Sequence, residues 1–165
     1  MAKSKISKLT ISTEFDVYDS VQDMAKKDAA LLLEAQKMIK SAYAPYSEFH
    51  VGAAVLLENG KIVTGNNQEN AAYPSGLCAE RVAIFYAGAQ YPNVKVKTIA
   101  ISVKSKNTVI KEPLSPCGGC RQVIAEYENK FREPIRIIMM GEKGPIYIAK
   151  SIESLLPLMF SKKYL

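Results

Sequence analysis

The sequence predicts an α/β layered domain, with helices on both sides of a mixed sheet. Three observations carry this. Apolar or alternating runs of strand length recur along the chain, separated by segments of helical period. Two of those runs flank Asn59-Gly60, the strongest short hairpin signal. The order is helix, two strands, then strands alternating with helices, which layers helices against a shared sheet.

Leu9 to Tyr18 alternates apolar and other residues as an edge strand does. Asp19, Ser20 and Asp23 are candidate helix caps. From about Val21 to Ala42 the period is helical. Leu31, Leu32, Ala35, Met38 and Ile39 recur at steps of three and four, and Pro45 ends the run. Phe49 to Leu57 reads as a buried strand and Lys61 to Asn67 as its hairpin partner. Gly52, Ala53 and Ala54 keep that strand's side chains small, as either a closely packed helix or a ligand would require. Residues 68–77 form a loop. A helix runs from near Cys78 to about Gln90, and Val96 to Lys104 is a strand. Residues 105–115 form a second loop, containing Pro113. A further helix begins at Pro116 or Cys117 and reaches about Asn129; proline suits a first helical turn, where its missing N–H would have no partner. Pro134 to Met140 and Pro145 to Lys150 are strands around a turn at Gly141 to Gly144. Ser151 to Leu156 is a short helix stopped by Pro157. No repeat, linker or low-complexity segment interrupts the chain. The chain reads as one domain over 1–165, with 1–20 an N-terminal extension of unassigned function.

Composition narrows the function. Hydrophobic residues make up 48% and charged residues 23%, the balance of an ordinary soluble globular protein. The longest apolar runs, such as Pro134 to Met140, are too short to cross a bilayer. The N-terminus carries lysines with no apolar stretch behind them, so it is not a secretory signal. The net charge of +6 is scattered, as at Lys26 and Lys27, Lys95 and Lys97, Lys104 and Lys106. No basic block resembles a nucleic-acid arm, so neither nucleic acid nor membrane is an expected partner. Three cysteines, two of them in a Cys-x-x-Cys pair, suit a metal or redox role in a reducing compartment, and a cytoplasmic location.

Those cysteines fall in two stretches, Cys78-Ala79-Glu80-Arg81 and Pro116-Cys117-Gly118-Gly119-Cys120-Arg121. Cys-x-x-Cys alone fits structural zinc, dithiol redox or catalytic chemistry. A closed Cys₃His site would need His50, the only histidine, which sits on a strand among apolar neighbours. A dithiol role for Cys117 and Cys120 leaves Cys78 and Glu80 unexplained. Three thiolates, in contrast, hold one zinc and leave a fourth position for chemistry. Both ligand groups fall at helix starts, where unpaired N–H groups favour a thiolate. Cys117 and Cys120, three apart, share a helix face, so the other helix must bring Cys78 alongside. Zinc with three thiolates carries a net charge of about −1, which works against making water acidic. Arg81 and Arg121, each next to a ligand, can offset this by donating to the sulfurs or by fixing the loops. Glu80, two residues after the first ligand, is the candidate proton carrier, and burial beside an anionic centre would raise its pKa.

Cys-x-Glu paired with Pro-Cys-x-x-Cys is the signature of nucleobase zinc deaminases in their three-cysteine form. The sequence resembles the small, homotetrameric cytidine deaminases of pyrimidine salvage over about residues 25 to 160. The resemblance includes Ala44-Pro45-Tyr46-Ser47, Phe49, Val51-Gly52-Ala53-Ala54 and the run Gly65 to Tyr73. It continues through Cys78-Ala79-Glu80-Arg81, Ser115 to Val123, Leu155-Leu156-Pro157 and Phe160. It implies a three-layer α/β/α fold with a five-stranded mixed sheet. It implies one zinc per subunit, held by Cys78, Cys117 and Cys120, and hydrolysis of cytidine and deoxycytidine to uridine and deoxyuridine with release of ammonia. It implies that Asn67 and Glu69 hold the ribose hydroxyls, that Phe49 packs on the pyrimidine, and that backbone around Ala79 and Ser115 meets the base. Tyr73 and Phe160 match positions that complete a neighbouring subunit's pocket. The first 20 or so residues, the loop at Asn107 to Pro113 and Gln68 depart from the family pattern, away from the catalytic set. Three competing functions stay in view: deamination of blasticidin S, against which the ribose segment argues; deamination within a polymer, which lacks a visible basic groove; and a structural zinc module without turnover.

Overall fold

In the computed structural model, which describes residues 6–165, six strands form one sheet in the order β1-β6-β5-β4-β2-β3. The elements run in chain order: β1 (Asp16–Tyr18), α1 (Lys26–Met38), β2 (Phe49–Leu57), β3 (Ile62–Asn66), α2 (Ala79–Gln90), β4 (Val96–Ser105), α3 (Gly118–Phe131), β5 (Arg136–Met140) and β6 (Ile146–Ala149). Only β4 and β5 pair in parallel; every other pairing is antiparallel. Lys3 and Lys5, among the lysines of the N-terminus, lie outside the described residues.

Strand alternation sorts the core into two layers. Ala53, Val55, Ile99, Ile101, Val103, Ile137 and Met139 face one way, where Ala79, Ala83, Ile84 and Ala87 of α2 and Ile124 and Ala125 of α3 cover them. Ala54, Ala100, Ile138, Ile146 and Ile148 face the other way, under Leu31, Leu32 and Ala35 of α1. Burying each of Leu31 and Leu32 contributes about 1.5–3 kcal/mol. Their spacing with Ala35 is what keeps α1 on that face. The three-layer α/β/α arrangement is the expected one.

The small residues of β2 answer to helices. A Cβ on Gly52 would overlap the backbone carbonyl of Ala35, so α1 lies directly against the strand. A Cβ on Gly65, across the ladder, would stand 2.6 Å from Ala83 N and 2.8 Å from Ala79 O of α2. Of the two explanations the sequence left open at Gly52, the packed helix is the one observed.

Several expectations need correction. The sheet has six strands because β1 adds to β6, pairing Asp16 with Ile148 and Tyr18 with Ile146. The alternation from Leu9 yields only three strand residues, since β6 is four residues long and Leu9 and Ile11 find no apolar surface. The first helix starts at Lys26; Val21–Asp23 forms a separate 3-10 turn, after which Met24 is extended. Ser20 donates its hydroxyl to Asp23 Oδ2 at 2.7 Å and caps no backbone N–H. Pro116 stands before the N-cap of α3, which is Cys117, and so lies outside the first helical turn. Residues 151–156 make only a 3-10 turn, Ile152–Ser154, capped by Ser151.

Glu128 of α3 is a half-buried tie between elements. Its Oε1 accepts from the N–H of Ile135 at 2.7 Å and of Ile152 at 2.9 Å, and Ser151 Oγ donates to Oε2 at 3.0 Å. Burial outweighs these donors and holds the carboxyl above its usual pKa.

Two outcomes test this frame. Gly52→Ala should lower stability by about 1–3 kcal/mol in urea unfolding, because α1 must move off the sheet. Glu128 binds its proton more tightly folded than unfolded, so its contribution to stability falls as pH rises from the unfolded carboxyl pKa through the folded one. Glu128→Gln should therefore gain on the natural chain as pH rises through that window, read from unfolding midpoints at successive pH values.

Candidate active site

β3 and β4 are each antiparallel to β2, so they run the same way and end at the same edge of the sheet. The chain leaves β3 toward α2 and β4 toward α3, and both helices pack on one face. Their N-termini are thereby brought together. Cys78 is the N-cap of α2 and Cys117 that of α3, with Cys120 in the first turn of α3. The Cys78 and Cys117 sulfurs are 3.7 Å apart, those of Cys117 and Cys120 are 3.4 Å apart, and all three lie within 4.8 Å of one another.

This donor set fits zinc. Tetrahedral zinc–sulfur bonds of about 2.3 Å place neighbouring sulfurs about 3.8 Å apart. Three thiolates at such separations repel one another unless a cation lies between them. The titration of the sulfurs reflects that crowding. Cys120, followed by Arg81 and Cys117, holds the Cys78 thiol down at about 5 against the opposing effect of burial. Cys120, fully buried, is pushed up by the Cys78 sulfur and by burial. Among the described residues no histidine, aspartate or glutamate joins the cluster. His50 lies on β2, outside that group, so the closed Cys₃His arrangement is not the one formed; its Nδ1 stands 3.1 Å from the Glu48 carbonyl.

Glu80 sits in the first turn of α2 and is 5% exposed. Burial raises its pKa and the neighbouring Cys78 charge adds to the rise, as anticipated for a group exchanging protons near neutrality. Arg81 turns back toward the metal-binding turn, its Nη2 3.8 Å from Cys78 Sγ and 3.4 Å from the Gly76 carbonyl. Arg121 makes no contact with sulfur. It donates to the Pro116 carbonyl at 2.8 Å, the Leu155 carbonyl at 2.7 Å and Ser115 Oγ at 3.0 Å. Of the two roles open to it, fixing the loop is the one its contacts match.

A cavity of about 290 Å³ opens beside Cys78. Asn67, Glu69, Tyr73, Cys78 and Arg81 share its wall, which brings five of the candidate residues together. β3 ends at Asn66, so Asn67, expected as the last strand residue, joins Glu69 in the loop that follows. Asn67 clamps β2: its Oδ1 accepts from Val51 N and its Nδ2 donates to the Phe49 carbonyl, both at 2.8 Å. Glu69 accepts from the N–H groups of Tyr46 at 2.9 Å and Ser47 at 3.2 Å, and from the Ser47 hydroxyl. Burial tends to raise the Glu69 pKa, but these donors prevail and hold the carboxylate ionised. Phe49 begins β2 and is partly buried against the core. Ala79 is fully buried at the first turn of α2. Phe160 stands away from this cavity and is 57% exposed, and Tyr73 at its rim is 77% exposed.

The sequence reading missed the bracing of these loops. Gln68 and Leu77 exchange two backbone hydrogen bonds of 2.9 Å, and Glu69 N donates to the Tyr43 carbonyl at 2.8 Å. Ser47, which grips Glu69, carries no recognisable signal, because its partner is 22 residues away.

Fold and site together define a class: a zinc-dependent deaminase, with three thiols gathered at paired helix starts and a buried carboxyl in the first turn of one of them. A family model described as the cytidine and deoxycytidylate deaminase zinc-binding region matches residues 25–132. The chain is 41% identical over 133 residues to a cytidine deaminase of Sporosarcina psychrophila, covering 81% of this chain and 90% of that one. It is 45% identical over 96 residues to a cytidine deaminase of Halalkalibacterium halodurans, covering 58% and 68%. The crystal structure of a cytidine deaminase from Burkholderia pseudomallei superposes with a TM-score of 0.69 at 34% identity, covering 83% of this chain and 100% of that one. The chain belongs to the cytidine and deoxycytidylate deaminase family, and zinc is its cofactor.

Removing the Arg121 brace should loosen the metal. Arg121→Ala is expected to weaken zinc binding by about 10–100-fold, measured by competition with a chromogenic chelator, while far-ultraviolet circular dichroism stays that of the natural chain.

Proposed function

We propose that the chain hydrolyses cytidine and deoxycytidine to uridine and deoxyuridine with release of ammonia, in pyrimidine nucleoside salvage. The observation that carries this is the buried Glu80 in the helical turn that Cys78 opens, at the edge where Cys117 and Cys120 of α3 gather with Cys78. Cys78, Cys117 and Cys120 would hold zinc, which when bound supplies a Lewis acid that makes water nucleophilic near neutral pH.

The remaining chemistry belongs to the chain. Glu80 takes a proton from the attacking water and delivers it to the ring nitrogen beside the reacting carbon. It then takes the proton of the hydroxyl newly bound to that carbon and passes it to the amine; the carbonyl forms as the carbon–nitrogen bond breaks, so that one water enters and one ammonia leaves. Its pKa, raised by burial, favours taking up the proton it is to carry. Asn67 and Glu69 bind the sugar. An amide and a carboxylate can donate to and accept from a diol, and their contacts with Val51, Phe49, Tyr46 and Ser47 hold them ready to do so. Phe49 packs on the pyrimidine, and backbone at Ala79 and Ser115 reads its edge. Arg81 offsets the negative charge of the sulfurs, and Arg121 keeps the Cys117 turn in place.

The chain works as one domain, located in the cytoplasm, in a homotetramer whose neighbouring subunits complete each pocket with Tyr73 and Phe160. The exposure of both rings supports that assembly. No described helix is long and apolar enough to cross a membrane.

Ultraviolet absorbance with cytidine, deoxycytidine, CMP and a single-stranded oligonucleotide tests the substrate class. Turnover of the two nucleosides is expected; turnover of the oligonucleotide alone would overturn the reading. Glu80→Ala should retain zinc and lose about 10²–10⁴ in kcat, the usual worth of a positioned proton carrier. A variant of near-normal rate would remove Glu80 from the mechanism.

A further inference from the structure

Two side chains at the start of α3 clasp the C-terminal strap, residues 155–160. Arg121 Nη1 donates to the Leu155 carbonyl at 2.7 Å. Gln122 Nε2 donates to the Phe160 carbonyl at 2.9 Å. Between the clasps Leu158 adopts the left-handed conformation, φ 56°, which a leucine takes only at a cost. The strap therefore needs its clasps to keep this turn. The Phe160 ring in turn lies nearly parallel to that of Tyr164, with centroids 5.8 Å apart and planes 17° apart. Backbone and ring are both held, yet more than half of the residue faces water. An aromatic held this way is presented to a partner, and little ordering remains to be done when it is covered.

We propose that Gln122 is a positioning residue for the reaction: it holds Phe160 where its ring closes a neighbouring subunit's nucleoside pocket. This rests on the reading above that Phe160 completes that pocket. Gln122 lies two residues after Cys120, so the metal-binding helix of one subunit sets the closure of the next subunit's site.

The test compares Gln122→Ala, Phe160→Ala and the double variant for kcat and KM on cytidine, with Tm and zinc content measured alongside. Gln122→Ala should raise KM about fivefold, the size of one lost hydrogen bond, with kcat within about twofold. Gln122→Lys, which keeps an N–H donor, should recover most of the loss. The double variant should be no worse than Phe160→Ala alone, since both act through one ring. The chain has no tryptophan, so Phe160→Trp provides a single tryptophan, excited at the red edge where the nine tyrosines do not absorb. Its anisotropy should fall when Gln122→Ala is added. If Phe160→Ala raises KM while Gln122→Ala changes neither KM nor anisotropy, the role of Gln122 is overturned and the shared pocket stands. If Phe160→Ala leaves KM unchanged, the shared pocket falls, and the role of Gln122 with it. A KM rise in Gln122→Ala matched by loss of Tm and zinc reduces Gln122 to a structural part and overturns the proposal.

Discussion

Mutual repulsion among three sulfurs is the constraint on which the site depends. Cys78, Cys117 and Cys120 come within 4.8 Å although 39 residues separate the first from the second. Ionised thiols do not gather like this without a cation. The sheet makes the meeting possible. With β2 between them, β3 and β4 point the same way and release two helices at one edge and on one face. The unpaired N–H groups of both helices then favour anionic sulfur at that edge.

Rigidity around the metal-binding turn comes from loops tied to one another, since few regular elements reach it. The segment after β3 is bridged to Tyr43 on one side and to Leu77 on the other. Glu69 pulls Tyr46 and Ser47 onto the same segment. Arg121 does equivalent work across the site, joining Ser115, Pro116 and Leu155. Such ties matter because reacting groups must be held to a fraction of an ångström. Glu80 illustrates what is given up for it. A carboxyl placed where water is scarce opposes folding, and the proton-carrying role proposed for it accounts for its place there.

Much of this was legible in the sequence, and the reasons are local. Periodicity located the core helices and strands, because burial on one face enforces it, and Phe49 to Leu57 emerged with the bounds observed. The gathering of the three cysteines was legible because metal chemistry fixes the spacing of such a donor set. The failures concern partners distant in sequence. The sixth strand depends on how long β6 is, which an alternating N-terminal run does not reveal. The grip of Ser47 on Glu69, of Asn67 on β2 and of Gln122 on Phe160 spans 16 to 38 residues, and no short pattern encodes it. Pro116 misled for a different reason. Proline suits the residues around a helix start, so its presence does not say on which side of the cap it stands.

The small strand β1 has a bearing on how the molecule behaves in a crowded solution. Without it β6 would offer an open row of N–H and C=O groups, a template on which a foreign strand could add. Asp16, Val17 and Tyr18 take that place, and Asp16 sets a negative charge at the rim. The segment thus acts as a hem, guarding against fibre-like stacking.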